Sequence, residues 1–287
     1  VALFPDDELL RAEALSASKE IVSQRVFVLN KILKNEADII IANLSAVGRF
    51  LPSIDLFKQF SIQLNKDEEY DIPQLRNILT RNGYTYVSKV NQSLQYAVRG
   101  DILDIYSVNY DKPIRIEFFG DTIESIRFFD VATQTSFQEL ESIEILPGSD
   151  IKNAPDKILN ILEKDKTIRN YGDFEILRDN VVDDITRILE NNIDQKIYKY
   201  YSLISSNHYS LFDYCKNYKV ILVDDDGIDI SNKLIIEDSW NFLQELNSQN
   251  KTISHLEIYQ DIHRLIDFNS LNVIKTSLLA KNYDDII

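Results

Sequence analysis

TYVSKV (85–90), QYAVRGDILDIYS (95–107), PIRIEFFGD (113–121), TIESIRFFD (122–130) and ESIEILP (141–147) follow one another with turn residues between them, including Asp111–Pro113 and Gly120–Asp121. Short runs rich in Ile, Val, Tyr and Phe, punctuated in this way, read as successive β-strands. Upstream, Ser61–Asp71 is polar and extended. Asp71 then caps a helix with Ile72, Leu75, Ile78 and Leu79 on one face, ended by Gly83. One helix followed by a run of strands predicts an α+β unit over residues 61–148.

The flanks have a different character. Residues 6–34 carry Leu9, Leu10, Ala14, Ile21, Val22, Val26, Leu29, Ile32 and Leu33 at helical spacing, broken near Ser16–Ser18. Ala37–Ala42 (ADIIIA) is apolar on both faces and predicts a buried parallel strand, and a short helix leads on to Pro52. After Gly148 helices are predicted at 154–165, 174–195 and 235–249, with a buried strand at Val220–Val223 and a second strand at Asn272–Leu278. The expected fold is α/β plus α+β: residues 1–60 and 149–287 form an α/β body, and 61–148 is an α+β insertion. Internal repeats and low-complexity tracts are absent.

Composition narrows the chemistry. Of 287 residues, 46 are acidic and 31 basic, a net charge of −15. It divides as −1, −6 and −8 over the three segments, so none is an electrostatic clamp for nucleic acid. The seven glycines, Gly48, Gly83, Gly100, Gly120, Gly148, Gly172 and Gly227, never stand closer than 17 residues apart. No phosphate-cradling loop can be written with that spacing. The single Cys215 excludes an internal disulfide and a cysteine zinc cluster, and suits a reducing compartment. No apolar run reaches a membrane span and the start lacks a signal pattern, which makes the cytoplasm the expected location. The chain has no methionine, not even an initiator, and is expected to be a fragment of a longer protein.

Few residues could do chemistry. Val220–Asp226 has the form of a strand ending in a metal-holding acid, but without a phosphate loop its acids read as solvation of a strand end. His255 and His263 stand eight apart on an expected helix, too far for an i, i+4 metal pair, and His208 lacks an acidic or cysteine partner at ligand spacing. No catalytic residue, metal ligand or cofactor site is assigned. In the strand 114–119, alternation sets Ile114, Ile116 and Phe118 on one face and Arg115, Glu117 and Phe119 on the other. Arginine beside an exposed aromatic is hot-spot composition; the alternative is a covered face on which Arg115 pairs with Glu117 or a neighbour. Gly100 after Arg99 points to a bulge that re-aims the arginine, and Arg99 is alternatively an ion-pair partner of Asp101 or Asp104.

The words Val98-Arg-Gly-Asp-Ile-Leu-Asp-Ile105, Arg115-Ile-Glu-Phe-Phe-Gly-Asp121 and Ile123-Glu-Ser-Ile-Arg127 occur in the order found in the UvrB interaction module. That module is shared by the excision-repair protein UvrB and the transcription-repair coupling factors. The entry FPDDELLRAEALSASKEIVSQRVFVLNKIL and Asp130–Ser136 are similar to the coupling-factor family, over about residues 1–150 strongly and 151–287 weakly, where LFDY…VILVDDD at 211–226 carries it. Two departures stand out: Leu94-Gln95-Tyr96 where the family commonly has Gly-Glu-Phe, and Gln134-Thr135-Ser136 for its Gln-Arg-Ser. Leucine resists backbone angles that glycine allows.

The resemblance implies a degenerate RecA-like (P-loop-type) domain interrupted by an α+β UvrA-binding module, with Arg99, Arg115 and Phe119 at the positions that hold UvrA. It implies that this region is non-catalytic, within an ATP-dependent DNA translocase that recruits UvrA to RNA polymerase stalled at DNA damage. ATP and Mg, and the contacts to polymerase and DNA, would belong to domains beyond Ile287, and a C-terminal domain would mask the UvrA surface at rest. Two other functions compete: a UvrB-like DNA-binding module, marked by strong and steeply salt-dependent DNA binding, and an ATPase in its own right, marked by nucleotide turnover.

Overall fold

A computed structural model describes residues 1–6, 19–148, 154–190, 195–204, 209–269, 271 and 273–277. In chain order its elements are β1 (Ala2–Phe4), α1 (Lys19–Leu33), β2 (Ile40–Ala42), α2 (Leu44–Val47), α3 (Ile54–Phe60), β3 (Ile62–Asn65), α4 (Ile72–Arg81), β4 (Thr85–Tyr86), β5 (Gln95–Arg99), β6 (Ile102–Tyr106), β7 (Ile114–Phe119), β8 (Thr122–Phe129), β9 (Ser136–Leu140) and β10 (Ser142–Ile145). They continue as α5 (Ala154–Asp165), α6 (Tyr171–Leu189), a 3₁₀ segment (Gln195–Leu203), α7 (Leu211–Tyr214), β11 (Val220–Val223), α8 (Asp225–Ser248), α9 (Ile262–Asn269) and β12 (Val273–Thr276).

The middle of the chain is a six-stranded sheet in the order β4-β5-β6-β7-β8-β9, antiparallel except for the short β4–β5 pairing. One face is apolar. Leu103, Ile105, Ile114, Ile116, Ile123 and Ile126 pack there against Leu75 and Leu79 of α4 and Leu64 and Ile143 of β3 and β10. Each such side chain contributes about 1.5–3 kcal/mol by leaving water. Helix α4 begins as the sequence predicts: the Asp71 side chain accepts from Gln74 N–H at 2.8 Å, and Gly83 follows the helix end at φ 90°.

Chain entry and exit are zipped together, because β3 and β10 pair antiparallel from Ile62↔Ile145 to Asn65↔Ser142. This ribbon meets α1 through Glu144, whose carboxylate accepts from Lys34 Nζ at 2.5 Å and Asn30 Nδ2 at 3.3 Å.

The flanking segments build two further cores. In the first, β1 and β2 pair in parallel, as do β11 and β12, and residues of α1, α7 and α9 share a core with them. Cys215 lies in this core, and burial pushes its thiol up to about 12. The second core is helical, from α5, α6, the 3₁₀ segment and α8. Arg49, fully buried, lies over the rings of Tyr198 and Tyr201 at 5.2 and 4.5 Å from their centroids.

Several expectations are corrected. The strand runs 37–42 and 220–223 are not buried on both faces among the described residues: Ile39, Ile41, Ile221 and Val223 are each more than half exposed. The sequence pattern shows two apolar faces but not whether a layer covers each. Helix 235–249 begins ten residues earlier, at Asp225, and helix 174–195 spans Tyr171–Leu189, with 191–194 outside the described residues. His263 is on α9, but His255 has φ 58° in a turn. The start of the 6–34 helix and His208 lie outside the described residues. Strands β1 and β9 were not expected at all; β9 (SFQEL) is a polar edge strand whose single apolar alternation is weak.

Leu94 holds the left-handed backbone that the family's glycine would adopt, at φ 64°, with its side chain buried. That conformation costs about 1–2 kcal/mol for a residue with a Cβ. Gly148 makes room for it: a Cβ there would stand 2.4 Å from Leu94 Cδ2. Leu94→Ala keeps the strain and loses burial, for a destabilisation of about 2–5 kcal/mol. Leu94→Gly loses the same contacts but relieves the strain. In urea unfolding the glycine variant should therefore be the more stable of the two by about 1 kcal/mol, reversing the usual order; an alanine variant at least as stable would show that the backbone here is relaxed.

Candidate partner-binding site

Two hairpins end side by side at one end of the six-stranded sheet. Gly100-Asp101 joins β5 to β6 beyond the pair Arg99↔Ile102, and Gly120-Asp121 joins β7 to β8 beyond Phe119↔Thr122. In each turn the glycine, at φ 61°, is the first central residue, the position where a two-residue hairpin of type II′ needs it. Gly100 thus forms a turn, not the bulge that the sequence pointed to. The Phe118 N–H donates to Asp101 O at 2.8 Å and ties the turns together.

Alternation along β7 follows the sequence reading. Ile114, Ile116 and Phe118 enter the core, and Arg115, Glu117 and Phe119 lie on the opposite face. Phe119 is 81% exposed. Arg115 is not: its side chain is 15% exposed, packed over the Phe129 ring at 4.7 Å. Its Nε and Nη2 donate to Asp104 Oδ1 and Oδ2 at 2.7 and 2.9 Å, and its Nη1 donates to Gln134 O at 3.1 Å. The Asp104 carboxylate, 1% exposed, holds the guanidinium above its ordinary pKa. Arg99 donates to the same carboxylate at 2.5 Å but keeps its side chain 49% exposed.

The ion-pair alternative holds for both arginines, with Asp104 as the shared partner rather than Glu117 or Asp101. Asp104 brings Arg99 and Arg115 together on the face that also carries Phe119. Gln134 is set by the Asp130 turn, whose carboxylate lies below its usual range because Thr133 N–H, the Thr133 hydroxyl and Ala132 N–H donate to it.

Sequence reasoning missed a second pair on this face. Arg127 on β8 stands opposite Arg115 and meets Glu117 Oε2 at 3.3 Å, while Ser125 Oγ donates to the same oxygen at 2.9 Å. A strict two-residue hairpin would put Ile126 opposite Arg115. The register shifts between Glu117 and Phe118, giving β8 one extra residue and moving Arg127 onto the arginine face. The signal was present: Ile123 and Ile126, both buried, are spaced three apart in a strand, which only a bulge permits.

Elsewhere, one of the acids after β11 is ion-paired. Asp225 Oδ2 accepts from Lys275 Nζ at 3.0 Å. Among the described residues no group of three or more His, Cys, Asp or Glu could hold a metal ion, and no helix is long and apolar enough to cross a membrane.

Comparison with known proteins converges on the same sheet. Residues 62–150 match the family model of the UvrB interaction domain. Across 98% of its length the chain is 29% identical to the transcription-repair-coupling factor of Bacillus subtilis, covering 25% of that protein. It is 31% identical to the factor of Staphylococcus haemolyticus and 30% to one from Staphylococcus aureus, in each case over 57% of this chain and 14% of the relative. The chain thus spans a quarter or less of the length of these relatives. The sheet bearing Arg99, Arg115 and Phe119 falls wholly within the match to the UvrB interaction domain, in a chain similar along nearly all its length to the Bacillus subtilis transcription-repair-coupling factor.

Proposed function

We propose that this chain is the UvrA-binding adaptor portion of a transcription-repair-coupling factor acting in nucleotide excision repair in the cytoplasm. Residues 61–148 present UvrA with the turn end of the six-stranded sheet. Residues 1–60 and 149–287 are a degenerate RecA-like body that mounts it. This portion catalyses nothing. ATP and Mg, RNA polymerase and DNA are engaged by other domains of the full protein, which is an ATP-dependent translocase, and a C-terminal domain covers the UvrA surface at rest. The observation that carries this reading is Phe119, 81% exposed on the same face as two ion-paired arginines within the matched sheet. A large aromatic in water at a rigid hairpin end gains most by entering a partner's pocket.

Calorimetric titration of UvrA onto this chain tests it. Saturable binding without nucleotide is expected. Absence of UvrA binding, with steeply salt-dependent DNA binding instead, would replace the adaptor reading with that of a DNA-binding module.

A further inference from the structure

The face that carries Phe119 has three arginines across its strands: Arg99 on β5, Arg115 on β7 and Arg127 opposite Arg115 on β8. Like charges directly opposite in an antiparallel pair destabilise it. The sheet offsets this by giving each of the two a carboxylate, Asp104 for Arg115 and Glu117 for Arg127.

The two pairs differ in what remains available. All three nitrogens of Arg115 have internal partners, and Asp104 beneath it is buried. Arg127 is 39% exposed and contacts Glu117 through Nη2, and Arg99 contacts Asp104 through Nη2. Guanidinium groups of this kind keep donors that a second carboxylate can take in a fork. Exposed Asp121 and Glu124 lie near the same end, and the segment 61–148 is net −6. Interleaved charge of this sort suits a protein surface with its own pattern better than a phosphate backbone.

We propose that Arg99 and Arg127 make the ionic contacts of this face, that Arg115 is a positioning residue held by Asp104, and that the partner is a protein surface with carboxylates around an apolar pocket for Phe119. The inference rests on the reading of this sheet as the UvrA-binding face. It adds Arg127 as a contact residue and moves Arg115 out of direct contact.

The test is titration of UvrA onto the chain and its Arg127→Met, Arg127→Glu and Phe119→Ala variants at two salt concentrations, with thermal melting of each. Arg127→Glu should weaken binding by about tenfold or more. Arg127→Met should weaken it several-fold and flatten the salt dependence, with the melting temperature unchanged. Should the glutamate variant melt early, the methionine variant, which keeps length without charge, decides. If both Arg127 variants bind as the unmodified chain does while Phe119→Ala loses affinity, the site reading stands and this inference fails. If Phe119→Ala also binds normally, the site reading fails as well. Arg127-dependent binding of duplex DNA in place of UvrA would overturn the partner's assigned chemistry.

Discussion

Phe119→Ala is expected to weaken UvrA binding by about thirtyfold or more, the 2 kcal/mol that marks an interface anchor, and to leave unfolding free energy within about 0.5 kcal/mol. The two effects separate because of where the ring stands. Its neighbour Phe118 is buried in the core, whereas Phe119 itself is mostly in water at the last ladder position before the Gly120-Asp121 turn. Removing an exposed ring takes almost no contact from the folded chain. The hairpin keeps its glycine turn and the tie from Phe118 N–H to Asp101 O. Titration with UvrA gives the first quantity and urea unfolding the second. Less than about a threefold change in affinity would remove Phe119 from the interface.

Asp104→Ala should lower unfolding free energy by about 3–5 kcal/mol, the cost of breaking a buried pair from one side. The carboxylate is almost completely enclosed and serves two arginines, of which Arg99 can turn to water and Arg115 cannot. Without Asp104 the Arg115 guanidinium keeps the Gln134 O bond, the Phe129 ring and the weaker attraction of the Glu117 carboxylate. The loss should be largely recovered in an Asp104→Ala, Arg115→Met double variant, because removing both charges leaves no ion buried without its partner. Urea unfolding of the single and double variants checks this. A single-variant loss under about 1 kcal/mol would show that water reaches Arg115 once the carboxylate is gone.

These outcomes bear on how the site could be read from sequence. The faces of β7 were legible because alternation is local: Ile114, Ile116 and Phe118 could only share one side. The positions Arg99, Arg115 and Phe119 came from a resemblance carried by contiguous words. Arg127 stands in one of those words, yet its face depends on a bulge that moves each later residue of β8 to the other side. The spacing of Ile123 and Ile126 encodes that bulge, but only if the core face is already known. Leu94 shows the converse. Its departure from glycine put the turn geometry in question, and only the fold showed that leucine keeps the left-handed angle, in the space that Gly148 leaves.

Sequence was enough for the mixed α and β character: turn-punctuated alternating strands in the middle, helices with short apolar strands on either side, and no glycine spacing for a phosphate loop. Those are properties of neighbouring residues, and local geometry enforces them. The tertiary structure alone decided that Asp104 joins Arg99 to Arg115, that Arg127 shares their face, and that Phe119 stays in water while Phe118 does not lose its core. Partners in a sheet are chosen by register across strands, and exposure by which layer covers which face. Neither is written in the spacing of any one segment.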